Sequence, residues 1–113
     1  MIARTWTCRA PRANAGAAAA HILRTGIAEC REVDGYRGSQ LLRRDADPAF
    51  CELVLVTYWE SLDAIRQFAG RDTSHAVLYP GDERHGILAH GTVTHREIIY
   101  SDLPGTGGTN ARR

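Results

Sequence analysis

Ten consecutive residues, Phe50–Trp59 (FCELVLVTYW), place the tightest constraint on this chain. β-Branched and aromatic residues crowd the run and neither glycine nor proline interrupts it, which predicts a central strand covered on both faces. The period then changes at once. Ser61 is a candidate N-cap for a helix over Leu62–Ala69, with Leu62, Ile65, Phe68 and Ala69 as its apolar side and Gly70 as its stop. A strand that feeds directly into an amphipathic helix calls for a sheet with a helix packed on it.

The rest of the chain supplies the sheet's other members. Met1–Arg9 alternates, with Ile2, Arg4, Trp6 and Cys8 on one side and Ala3, Thr5 and Thr7 on the other. Ala13–Glu29 carries Ala17, Ala20, Leu23 and Ile27 at helical spacing, with Asn14 near its start and weak turns at Gly16 and at Thr25-Gly26. Val33–Arg44 predicts a strand bulged near Gly35 and Gly38, and Asp45-Ala46-Asp47-Pro48 turns it back as a hairpin. Asp72–Leu78 suggests a further turn or short helix before Pro80-Gly81, and Leu88–Tyr100 a long final strand. The order strand, helix, strand, strand, helix, strand is a ferredoxin-like βαββαβ unit of the α+β class, an antiparallel sheet with helices on one face. The opposite face then needs a cover, and a second copy of the chain would provide one.

At 113 residues and 12.4 kDa the chain fits one domain, expected over 1–103, with 104–113 (PGTGGTNARR) as a disordered tail. A formal charge of +1, with signs interspersed, lacks the concentrated basic footprint of a nucleic-acid binder. All fourteen basic residues are arginine, so Schiff-base and lysine-general-base chemistry is excluded by inventory. Cys8, Cys30 and Cys51 show no paired-ligand spacing and read as buried reduced thiols. With neither a signal-like apolar region nor a membrane-length run, a cytoplasmic protein without a membrane partner is expected.

The candidate chemical groups are aromatics, imidazoles and arginines. His21, His75, His85, His90 and His95 form no short metal-ligand pattern, and there is no phosphate loop, so no metal or cofactor is expected. Trp59 ends the central strand where the helix begins, which suits either helix anchoring or a pocket wall. Trp6 suits a cavity wall or packing, His21 a cleft or the edge of the core, and Tyr79 offers a phenol beside Pro80. A planar, partly apolar, acidic ligand fits this inventory, stacked on aromatics and oriented by histidine or arginine.

Several stretches resemble the antibiotic biosynthesis monooxygenase-like family of dimeric α+β barrel proteins. They are Thr5-Trp6, HILRTG at His21–Gly26, GYRG at Gly35–Gly38, LLRR at Leu41–Arg44, VTYWESLDAIRQFAG at Val56–Gly70 with Asp72, Ala76-Val77, and YPGD at Tyr79–Asp82. The resemblance implies a homodimer whose sheets face each other, often exchanging part of the last strand, with a pocket between sheet and helices in each subunit. It also implies a cofactor-independent monooxygenase acting on a phenolic or polyketide-like aromatic molecule, with His75, Trp59 and Tyr79 as catalytic candidates and Trp6, His21, Arg66 and Phe68 as substrate-binding candidates. The alternative is a non-catalytic small-molecule-binding or interaction protein on the same scaffold. A haem-degrading protein is disfavoured, because the positions that branch fills with tryptophan and with the haem-ligating histidine hold Phe68 and Leu78 here; His75 lies three residues upstream of the latter.

Overall fold

The computed structural model describes residues 1–89 and 93–104. Strand β3 (Phe50–Trp59) pairs antiparallel with β1 (Ile2–Pro11) along its whole length, from Ile2 opposite Trp59 to Pro11 opposite Phe50. Its other edge pairs with β2 (Tyr36–Asp45), where the register slips between Tyr36 and Gly38 as the glycines predict. Two short strands, β4 (Leu88–Ala89) and β5 (Thr94–Glu97), both pair with β1, giving the order β2-β3-β1-β4 with β5 also on β1. This is the ferredoxin-like antiparallel arrangement expected from the element order.

The central strand is covered on one face only. Cys51, Leu53, Thr57 and Trp59 are buried beneath the helices, while Val54, Val56 and Tyr58 on the other face stay half-buried. The helical backbone from Arg12 to Cys30 is a 3-10 turn (Arg12–Asn14), α1 (Ala15–Ile22), a π-helical segment (Leu23–Ile27) and a last turn, α2 (Ala28–Cys30). The wide turns fall at the weak Thr25-Gly26 site. Helix α3 (Leu62–Ala69) begins at Ser61, whose side chain accepts from the Ala64 amide at 3.2 Å, and stops at Gly70, whose φ of 88° suits a residue without Cβ.

The core divides along the sheet. One cluster joins Cys8, Ala10, Cys51 and Leu53 to Ala15, Ala18 and Ile22 of α1, while the other joins Trp59 to Cys30, Ala64 and Ile65. All three cysteines are buried free thiols, as expected. At the hairpin, Asp47 accepts from the amides of Ala49 and Phe50, both at 2.8 Å, and these bonds hold its carboxyl below the usual range.

One expectation is met in the weaker of its two forms and one is corrected. Asp72–Leu78 holds a turn at Thr73-Ser74 and no helix: the Asp72 carboxylate caps Ser74, and the carbonyls of Thr73 and His75 are taken by the Arg4 guanidinium. Among the described residues of Leu88–Tyr100 the strand covers Leu88–Ala89 and Thr94–Glu97 and stops short of Tyr100, because β1 begins at Ile2, opposite Glu97. The Ile98 amide makes a last bond to the Met1 carbonyl at 2.9 Å, and Ile99 and Tyr100 continue beyond the sheet, 91% and 78% exposed. Residues 90–92 of that span and 105–113 of the expected tail lie outside the described residues. Among the described residues no helix is long and apolar enough to cross a membrane.

Candidate functional site

A cleft opens between the helix-covered face of the sheet and the segment that follows α3. Its empty space, counting the part open to solvent, is about 510 Å³, and its enclosed depth has room for a few waters. Alternation along β1 and β3 aims Arg4, Trp6, Leu55 and Thr57 into it. The π-helical segment contributes Thr25 and Gly26, α3 contributes Phe68, and the following loop contributes Ala76, Val77, Tyr79 and Asp82.

Arg4 is the cationic group on the lining of this cleft. Burial lowers its pKa from the ordinary arginine value, and it is held by the carbonyls of Thr73 (2.6 Å) and His75 (2.9 Å) and by His95 Nε2 (2.9 Å). The Phe68 ring lies 5.9 Å from its guanidinium carbon. Buried Trp6 Nε1 makes no hydrogen bond, and the buried Tyr79 hydroxyl makes none of good geometry, although it lies beside the Glu29 carboxylate. Burial, and next the nearby Glu29 carboxylate, push the Tyr79 phenol up. Burial pushes the Cys30 thiol up to about 12, so neither group serves as a base near neutral pH.

Asp82 sits on the wall with both oxygens engaged. Oδ1 lies 2.7 Å from His21 Nε2, and Oδ2 accepts from the Tyr79 amide at 3.0 Å. His21 stacks on His85 with centroids 4.4 Å apart, and Gly81 approaches so closely that an added Cβ would stand 2.9 Å from His21 Cε1. The loop bearing Tyr79 and Asp82 is thereby pinned to α1.

The structure brings Trp6, Phe68 and Tyr79 together on the cleft. His21 stands one residue behind it, through Asp82. Trp59 is 0% exposed, donates to Thr57 Oγ1 at 2.8 Å and stacks under Phe68 with centroids 5.7 Å apart, so it supports the wall from behind. The His75 side chain is 66% exposed and paired with Asp72, and Arg66 is paired with Asp63 on the outer side of α3. Sequence reasoning passed over Arg4, Thr57 and Asp82 as site residues. For Arg4 the signal was present: it is the one charge in the inward-facing set Ile2, Arg4, Trp6, Cys8.

No family model matches the chain and no curated protein matches it. Solved structures do. A Deinococcus radiodurans protein, provisionally described as an antibiotic biosynthesis monooxygenase, superposes with a TM-score of 0.60 at 15% identity, covering 89% of this chain and 95% of that one. A Bacillus cereus protein of the same provisional description gives 0.61 at 13% identity, over 90% and 96%. A variant of MhuD, solved with two manganese protoporphyrin IX molecules per active site, gives 0.53 at 19% identity, over 89% and 97%. At these identities the likeness is one of fold, that of the antibiotic biosynthesis monooxygenase-like structures.

Proposed function

We propose that this protein is a homodimeric, monooxygenase-like protein that takes a planar phenolic or polyketide-like aromatic molecule into the cleft and oxidises it without a bound cofactor. The observation that carries this reading is the pairing of an apolar, aromatic-walled cleft with the unspent donor Trp6 Nε1. A phenol seated there meets Phe68 through its ring and this donor through its oxygen. Asp82, backed by His21, is the carboxylate placed to take the phenolic proton. The resulting anion then delivers electrons to dioxygen: one oxygen atom enters the ring and the other leaves as water, so phenol and dioxygen yield quinone and water.

In this reading a second copy covers the open sheet face, where Leu42 and Leu88 are exposed beside Val54 and Val56, and closes the barrel. The overhanging Ile99 and Tyr100 are the segment available for exchange. The cleft lies on the other face of the sheet.

Haem does not fit the described residues. No histidine borders the cleft, Leu78 is exposed, and His75 faces solvent, so none of these places an axial ligand for iron. The second reading, a non-catalytic binding protein, draws on one observation: the enclosed depth of the cleft is narrow, with room for a few waters.

Oxygen uptake against a panel of polycyclic phenols and hydroquinones, with chelator and with added flavin as separate controls, decides between the two. Protein-dependent uptake that survives chelator, needs no flavin and falls in Asp82→Asn is the expected result. Tight binding without uptake assigns the cleft to a carrier or sensor, and neither binding nor uptake refutes the reading.

A further inference from the structure

The fold does least to explain the charge on Arg4. The residue is 4% exposed, and among the described residues its partners are two backbone carbonyls and an imidazole, with no carboxylate. Removing a cation from water without a counter-ion is costly, and neutral acceptors offset only part of that cost. A methionine would fill the same volume in a core of this kind without the penalty. A buried, uncompensated guanidinium at the wall of a cleft is therefore what an anion site looks like before its anion arrives.

The hydrogen-bond inventory narrows the anion. A guanidinium has five N–H groups. Nη1 spends both of its own, on the Thr73 carbonyl and His95 Nε2, and Nη2 spends one on the His75 carbonyl. Nε–H and one Nη2–H remain, and these two nitrogens share the edge that receives a carboxylate side-on through two parallel bonds. Trp6 Nε1–H, a donor only, is also without an acceptor. The one carboxylate on the cleft wall, Asp82, is held by His21 and the Tyr79 amide, and among the described residues no hydrogen bond joins it to Arg4 or Trp6. Unspent donors thus outnumber unspent acceptors, and the group that complements them accepts only: an ionised carboxylate.

We propose that the ligand of this cleft is an aromatic monocarboxylate, its carboxylate seated on the free edge of Arg4 and its ring against Phe68. The ring position follows from the 5.9 Å between the guanidinium carbon and the Phe68 centroid. The proposal rests on the reading that the cleft is a ligand site and specifies the acidic group of that ligand.

Calorimetric titration of the full-length protein at pH 7.5 with 1-naphthoate, its neutral isostere 1-naphthamide, and 1-naphthol tests it. Naphthoate is expected to bind at least about tenfold more tightly than naphthamide, the effect of charge-assisted bonds to a buried guanidinium. Arg4→Met should erase the difference, and Arg4→Lys, which keeps the charge but loses the paired edge, should retain part of it. Should Arg4→Met fail to fold, the comparison of acid with amide on the natural protein still decides. Equal affinities for the two overturn the proposal. Binding of naphthol with no advantage for naphthoate overturns it while leaving the cleft as a ligand site. No binding of any of the three at millimolar concentration overturns both.

Discussion

Arg4 and His95 face each other across the β1–β5 ladder, and the guanidinium donates to His95 Nε2 at 2.9 Å. The bond assigns the imidazole its neutral form, with the proton on Nδ1. Burial first, and the Arg4 charge second, lower the His95 pKa below the ordinary 6.5.

That pair gives stability a pH dependence of definite sign. A histidine whose folded pKa is depressed binds its proton more readily in the unfolded chain, so acidification through 6.5 draws the equilibrium toward unfolding, and the loss levels off below the folded pKa. Urea midpoints measured from pH 8 to pH 5 should fall, and the fall should be shallower in His95→Gln. Parallel curves for the two proteins would refute the assignment.

The junction of β2 and α3 is a close approach between backbones. A Cβ at Gly35 would stand 2.7 Å from Ala64 Cβ, on a residue whose φ is +93°. Gly35→Ala should therefore cost more than about 1 kcal/mol, by strain and by collision together. Ser61→Ala, which only removes the cap on Ala64, should cost about 1 kcal/mol. Chemical denaturation of both variants gives the ranking, and a smaller loss at Gly35 than at Ser61 would contradict the packing described.

Burial pushes the thiols of Cys8 and Cys30 up to about 12. At pH 8 they are therefore un-ionised as well as inaccessible, and a thiolate is needed for attack. Ellman's reagent should label the native protein only as fast as it opens, and label all three cysteines at once in denaturant. Prompt labelling of one thiol under native conditions would show that its half of the core is open.

Covering of the open sheet face is checked by Val56→Arg. The side chain points away from the helices and is half-buried, so the monomer should tolerate the change at a cost below about 1 kcal/mol. The natural protein should sediment at twice the 12.4 kDa of the chain and the variant at that mass. A natural protein that stays monomeric at micromolar concentration would remove the barrel from the proposed function.

The elements that were legible in the sequence are those whose information is local. The Phe50–Trp59 run, the Ser61 cap and the Gly70 stop needed no knowledge of distant residues, and α3 has the predicted bounds. The choice between turn and helix over Asp72–Leu78 was not legible, because its carbonyls are satisfied by Arg4, a residue some seventy positions away. The final strand was misread because its length depends on where β1 begins, at Ile2. For the site, the aromatic members Trp6, Phe68 and Tyr79 declared themselves by type. Asp82 became visible only when the loop was seen pinned to His21. The exposure of His75 and Arg66 depends on which side of a loop and of a helix each occupies, and residue type says nothing about that.

The π-helical segment Leu23–Ile27 also sets phase. Burial on the first half of the helix recurs at Ala15, Ala18 and Ile22, and an α-helix carried on from there would turn Glu29 inward, seven residues beyond Ile22. Cys30 is the buried residue instead, eight residues beyond Ile22, and Glu29 is exposed, in keeping with the extra residue that a π-turn inserts into an α-helix. That surplus residue belongs to the stretch that lends Thr25 and Gly26 to the cleft. Fold and site are written in separate registers of the same helix, one residue apart.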